Sequence, residues 1–191
     1  MNISKNPSAI RSQKEIMDAL LSLMHTTPYA EITAKQVILE AKVSRKTFYR
    51  NFSSKEDVLI SYLHTAITAY TDSLLALKPL SLPGVLDVIF DTCKNHYSLL
   101  QMLLSNNLQH LLLNELNLLL PVIHRQIVFA DNPLFTGIPD ETVDYIIYFN
   151  IGAVYNVLIK WLKNGCLENP TDIKTALLQY LTKNVHCTSL C

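Results

Sequence analysis

The chain predicts an all-α fold, and three observations carry that prediction. Only four of its 191 residues are glycine, 49% are hydrophobic and leucine is abundant, a composition that favours helices over a turn-rich β fold. Apolar residues recur at helical spacing from the first segment onward, as in Ile16, Met17, Leu20, Leu21 and Met24. Helix-start signals follow one another closely at Thr33-x-x-Gln36, Ser44 and Ser53-x-x-Glu56. No convincing strand pattern, internal repeat or low-complexity tract competes with this reading.

Residues 1–8 read as an arm. A first helix runs from Ala9 and stops at Thr26-Thr27-Pro28, because Pro28 disfavours the α conformation in the residue before it. Tyr29-Ala30-Glu31 connects to a second helix, Ala34 to about Ala41, opened by a capping box of Thr33 and Gln36. Lys42-Val43 is a turn. Ser44 caps a third helix and places Val43 to staple against Phe48, while Phe48 and Phe52, four apart, form its buried side. Ser53 and Glu56 form a further capping box and open a fourth helix through Leu59, Leu63 and Ile67 to about Leu77.

Pro79 and Pro83-Gly84 punctuate the chain, and its character then changes to long apolar helices with few charges. The segments read as Leu82–Tyr97, Leu99–Leu104, Asn107 to about Ala130 with a kink at Pro121, and a loop Asp131–Pro139. A helix from about Asp140 to Asn164 is stopped by Gly165. A last helix has Pro170 at its first position and ends near Asn184. The expected division is a head over residues 1–60 and a larger helical domain over 61–191.

The formal net charge of zero conceals an uneven distribution. Residues 1–60 hold nine Lys/Arg against six Asp/Glu, a surplus of three positive charges, and residues 61–191 hold seven against ten. Between Ala41 and Lys55 stand Lys42, Arg45, Lys46, Arg50 and Lys55, with no acidic residue among them. A polyanion within a Debye length of ~8–10 Å responds to that local patch rather than to the sum. The N-terminal sequence has no apolar core of a secretory signal, and no uninterrupted apolar run reaches bilayer length, so no membrane partner is expected. Cys93, Cys166, Cys187 and Cys191 show no CxxC pair or framework spacing and read as reduced thiols of a cytoplasmic protein. His186, Cys187 and Cys191 lack the spacing of a structural zinc site, so no metal or cofactor is expected. No nucleophile–base order, carboxylate pair or Gly-rich phosphate loop is present, which argues against an enzyme.

The stretch Ile32–Phe52 therefore has the punctuation of a helix-turn-helix. With Phe48 and Phe52 buried, the third helix presents Arg45, Lys46, Thr47, Tyr49 and Arg50. Arginine donates two bonds to a guanine edge in the major groove, threonine meets a thymine methyl or a base acceptor, and tyrosine and lysine reach phosphate. The first turn of the fourth helix, with Lys55, offers backbone N–H groups to a further phosphate.

Residues 9–60 resemble the DNA-binding domain of the TetR family of bacterial transcriptional regulators. The resemblance rests on ITAKQV, the Ala41-x-Val43-Ser44 turn, Thr47-Phe48-Tyr49, Phe52 and Lys55-Glu56 leading to Leu59. It implies base reading by Arg45, Lys46, Thr47 and Tyr49, and phosphate contacts from Thr33, Tyr49 and Lys55, with Ser44 and Arg50 in the same face. Lys42 stands where the family usually has glycine. If its φ is positive, the side chain costs ~1 kcal/mol, and the lysine gains a possible phosphate contact. The resemblance further implies a nine-helix protein with paired subunits that represses transcription until a small molecule releases it. The segment from Trp161 to Pro170 also resembles the end of one TetR-type C-terminal domain.

Two expectations concern the second domain. Ile151, Tyr155, Leu158, Trp161 and Leu162 on one helix, with Leu177, Leu178 and Leu181 on the next, form broad apolar stripes suited to a homodimer interface of four helices. Polar and aromatic residues within apolar helices are candidates to line an effector pocket: His96, Tyr97, Gln101 and His110, then Tyr145, Tyr148 and Asn150. The competing reading is a regulator or adaptor of the same fold that works through protein contacts without a small-molecule effector.

Overall fold

The computed structural model describes residues 7–128 and 139–185. Nine α-helices run through them: α1 Pro7–Met24, α2 Ala34–Glu40, α3 Arg45–Asn51, α4 Lys55–Ala76, α5 Leu82–Asn95, α6 Tyr97–Ser105, α7 Gln109–Val128, α8 Val143–Lys163 and α9 Pro170–Val185. Short 3-10 turns occupy Tyr29–Glu31 and Asp140–Thr142, and no strand occurs among the described residues. The all-α expectation holds. The first helix begins two residues earlier than the periodicity indicated, because Pro7 opens it at a position where a missing N–H costs nothing. The expected loop Asp131–Pro139 lies outside the described residues except for Pro139, as do His186, Cys187 and Cys191.

The described chain forms two compact units. The first runs to Ala66 and includes Ser98–Glu115; the second comprises Ile67–Tyr97 and the chain from Leu116 onward. In the first unit α1 packs on both α2 and α3. Ile16, Leu20, Val37, Phe48, Phe52, Leu59 and Leu63 are almost wholly removed from water there. A side-chain pair, Ser22 Oγ to Glu40 Oε1 at 3.1 Å, adds a polar tie between α1 and α2. His64 Nε2 and Glu115 Oε2 meet at 2.5 Å within the same unit, joining α4 to α7.

The second unit packs α5 against α9. The Trp161 indole meets the edge of Phe90 with ring centroids 5.2 Å apart, and its N–H donates to the Glu168 carbonyl at 2.9 Å. Gly84 in the first turn of α5 lets Leu77 pack close, since a Cβ there would lie 2.8 Å from Leu77 Cδ2 and that side chain would have to shift. Gly165 adopts φ 71° after α8, as a Schellman turn requires, with the Cys166 N–H bonding to the Trp161 carbonyl at 3.0 Å.

Pro121 lies inside α7 and deprives the Asn117 carbonyl of its helical donor. The Tyr148 hydroxyl donates to that carbonyl at 3.3 Å, so α8 satisfies what the proline leaves open. Nearby, Arg125 forms a two-pronged pair with Asp144, both bonds at 2.8 Å. Among the described helices α8 alone has the length and apolar composition to cross a bilayer, yet Ile147, Ile151, Trp161 and Leu162 on it are buried within the protein.

Candidate nucleic-acid interface

Three local devices fix the helix-turn-helix. Thr33 is extended at the start of α2, its hydroxyl accepts from the Gln36 N–H at 3.3 Å, and Gln36 Oε1 accepts from the Thr33 N–H at 2.8 Å. This is the expected capping box. Lys42 adopts φ 53°, its N–H bonds to the Leu39 carbonyl at 3.1 Å, and the Val43 N–H bonds to Ile38 at 3.3 Å. That pair of bonds is a Schellman turn with lysine at the glycine position, so the positive φ expected there is present and so is its cost. Ser44 then caps α3, accepting from the Thr47 N–H at 3.0 Å, and its hydroxyl also pairs with Thr47 Oγ1 at 2.8 Å.

These devices turn one side of α3 inward and the other outward. Phe48 and Phe52 are fully buried, with ring centroids 6.3 Å apart, as the four-residue spacing predicted. Arg45, Lys46, Tyr49 and Arg50 are exposed, and Thr47 is half-buried. The Arg45 guanidinium lies over the Tyr49 ring, 5.6 Å from its centroid, which holds both side chains at the outer face. Lys42, Thr33 and Ser44 are exposed beside them. Leu39, at the end of α2, is also 66% exposed, an apolar surface the sequence reading passed over.

The start of α4 differs from the expectation. The cap is shifted by one residue: Ser54 Oγ accepts from the Asp57 N–H at 3.1 Å, while Asp57 Oδ2 reaches back to the Ser53 N–H at 2.9 Å. With α4 beginning at Lys55, Asp57 is its third residue and takes the capping position that Glu56 was expected to hold. The carboxylate of Asp57 therefore already sits at the helix N-terminus that was expected to receive a phosphate.

Lys55 points elsewhere as well. Its ammonium donates to the carbonyls of Tyr29 at 2.5 Å and Ile32 at 2.6 Å, with Ala30 at 3.5 Å, and lies 4.3 Å from the centre of the Tyr29 ring. Two of the three N–H donors of the lysine ammonium are thereby firmly engaged. Burial draws its pKa below the ordinary lysine range. Burial, with the nearby charge of Glu56, pushes the Tyr29 phenol up to about 12. On the other side of the same turn, Asn106 Oδ1 accepts from the Tyr29 N–H at 2.7 Å. Neither Tyr29 nor Asn106 stands in a motif that marks it as functional. Their only local signals were Pro28, which cannot cap the turn that follows it, and the Asn106-Asn107 pair at a helix end.

Residues 16–62 match the family described as bacterial regulatory proteins, tetR family, and residues 81–183 match a transcriptional regulator C-terminal region. The chain belongs to the TetR family. A transcriptional regulator with a helix-turn-helix DNA-binding domain is thus the coarse identity, and the chain is not an enzyme. Solved structures share its fold, among them two transcriptional regulators. One is a dihydroxyacetone kinase operon activator, DhaS, at 17% identity and TM-score 0.60, covering 93% of this chain and 98% of that one. The other is the fatty acid degradation regulator FadR from Bacillus halodurans, also at 17% and 0.60, covering 93% and 96%. No curated protein sequence matches the chain.

The residues expected to line an effector pocket fall in both units. Gln101 and His110 belong to the first unit, and His96, Tyr97, Tyr145, Tyr148 and Asn150 to the second. Tyr145 is 77% exposed, Asn150 and His110 are exposed, and Tyr148 serves the Asn117 carbonyl. Tyr97 does border a hollow of about 420 Å³ with Lys94, Trp161, Cys166 and Pro170. That hollow is open to solvent on one side.

The expected dimer stripe is also redistributed. Ile151, Trp161 and Leu162 are buried within one chain, which removes them from any surface a second copy can touch. Tyr155, Leu158, Leu177 and Leu178 are half-buried, and Leu181 is exposed. The large apolar and aromatic side chains that α8 and α9 expose are Leu181 of that stripe and, outside it, Tyr145, Tyr148, Phe149 and Tyr180, with Gly152 facing open space. Among the described residues no three metal-ligating side chains cluster.

Proposed function

We propose that the protein is a homodimeric, sequence-specific DNA-binding regulator of cytoplasmic bacterial transcription, acting as a repressor that a small molecule releases. The observation that carries DNA reading is the two-sided α3: Phe48 buried, and Arg45, Lys46, Tyr49 and Arg50 exposed. A single seven-residue helix reaches too few bases for useful specificity, so two copies are required, entering major grooves roughly 34–36 Å or a multiple apart. The exposed aromatic side chains of α8, Tyr145 and Phe149, support a second copy as partner. Arg45, Lys46, Thr47 and Tyr49 are assigned to bases, and Thr33, Lys42, Ser44 and Arg50 to the flanking phosphates. Lys55 is engaged by carbonyls and is withdrawn from that set. A small molecule would act by binding better to one subunit spacing than another.

A second reading has its own support. The hollow beside Tyr97 is open rather than enclosed, and a structural neighbour is named an operon activator. A regulator working through protein contacts on the exposed face of α8 fits both. Titration of the purified protein against duplexes from its own upstream region, at several salt concentrations, tests the common core of the two readings. Binding that weakens steeply with salt is expected. A folded dimer that shifts no fragment at low salt would refute it.

A further inference from the structure

The 3-10 turn Tyr29–Glu31 leads directly into Ile32 and the capping box of α2, so its conformation sets where the helix-turn-helix begins. Helix-like turns leave N–H groups open at one end and carbonyls at the other. Here the residue before the turn is Pro28, which supplies no side-chain hydrogen bond. Both ends are instead satisfied from distant parts of the chain. Asn106, 77 residues away, accepts from the Tyr29 N–H at 2.7 Å. Lys55 donates to the carbonyls of Tyr29 and Ile32 at 2.5 and 2.6 Å.

Asn106 is itself held firmly. It follows the last residue of α6, and its Nδ2 donates to the Met102 carbonyl at 2.9 Å. With the amide nitrogen so engaged, the oxygen must face Tyr29. Asn107 then turns the chain at φ 57°, and the Leu108 N–H bonds to Leu103 at 2.7 Å, so the α6–α7 junction is a Schellman turn. Tyr29 is buried beneath the Lys55 ammonium, and water does not replace a lost partner on its N–H without disturbing that packing.

We propose that Asn106, at the α6–α7 junction, is a positioning residue for DNA binding: it caps the Tyr29–Glu31 turn from outside the helix-turn-helix segment and, opposite Lys55, fixes the entry of α2 and hence the pose of α3. The inference rests on the DNA-reading role assigned to α3. It makes the α6–α7 junction part of the DNA-binding apparatus, and it gives Lys55 a positioning role in place of a phosphate contact.

Full-length wild type, Asn106→Ala and Asn106→Asp are titrated against a duplex recovered by selection on the wild type from a random-sequence library, with thermal melts alongside. Removing the acceptor is expected to weaken binding about tenfold, the scale of one hydrogen bond, and Asn106→Asp, which keeps the acceptor for the Tyr29 N–H but loses the donor to the Met102 carbonyl, to weaken it less than Asn106→Ala. Leu120→Ala, in the second unit, supplies a destabilised control whose duplex affinity is unchanged. Lys55→Met is expected to weaken binding without changing the slope of affinity against salt, whereas a phosphate contact would take about one unit from that slope. Wild-type binding matched by Asn106→Ala would overturn the proposal alone. A wild type that selects no duplex would overturn the DNA-reading role and the proposal with it.

Discussion

The two units of this protein use hydrophobicity differently. In the first, short helices separated by caps bury a few large side chains completely, and the polar residues between them are left on one outer face. In the second, helices apolar on several sides leave Tyr145, Phe149, Leu118 and Val122 in water while burying Trp161 and Leu162. The first pattern determines a face from local spacing alone. The second does not, because an apolar residue on such a helix fits equally well in a core, a pocket wall or a subunit contact. Function that depends on α3 is therefore readable residue by residue, and function that depends on α8 is not.

Four substitutions break or sharpen that contrast. The largest effect is expected at Phe48, fully buried on α3, the helix that packs on α1. Phe48→Ala should destabilise the protein by ~3–5 kcal/mol in chemical denaturation and abolish duplex binding. One turn face away, Arg45→Ala should cost ~1–3 kcal/mol of operator affinity and relax preference at one base position per half-site, with the melting temperature unchanged. If Arg45→Ala instead unfolds the head, the inner and outer faces of α3 have been misassigned. Lys42→Gly should raise stability by ~1 kcal/mol, because φ 53° strains any residue with a Cβ. A destabilised glycine variant would show that the lysine side chain repays the strain through contacts of its own.

The smallest effect concerns His124 on α7 in the second unit, whose Nε2 is buried without a partner and whose pKa burial lowers below the ordinary histidine value. The unfolded chain then takes up a proton in the window below pH ~6.5 where the folded chain resists it, so this group adds no penalty above that pH and lowers stability as pH falls. Melts between pH 7.5 and 5.5 should show a decline that His124→Phe flattens. A decline of equal size in both proteins would place its origin at another group.

Much of the head was legible because its signals lie within four residues of one another. Thr33 with Gln36, Lys42 in the turn, Ser44 with Thr47, and Phe48 with Phe52 each act at helical spacing, and each does what that spacing dictates. The misreadings share a different cause. At α4 two adjacent serines and two adjacent acids offered alternative caps, and the choice of Ser54 with Asp57 depends on reach that sequence spacing does not convey. Lys55 and Asn106 are joined to Tyr29 across 26 and 77 residues, distances at which no local pattern operates. Tyr148 belongs to the same class, since its partner carbonyl is freed by a proline on another helix. In the second unit the helices themselves were found, but which of their faces turns inward is set by packing among α5, α8 and α9.

The central claim is that the outer face of α3 reads base sequence. Selection from a random duplex library, run in parallel with wild type and Arg45→Ala, tests it most directly. The account predicts that wild type enriches two half-sites centred one helical turn or a multiple apart, and that Arg45→Ala loses preference at the same position in each half-site. Enrichment of the same sequence with the same preferences by both proteins would contradict it.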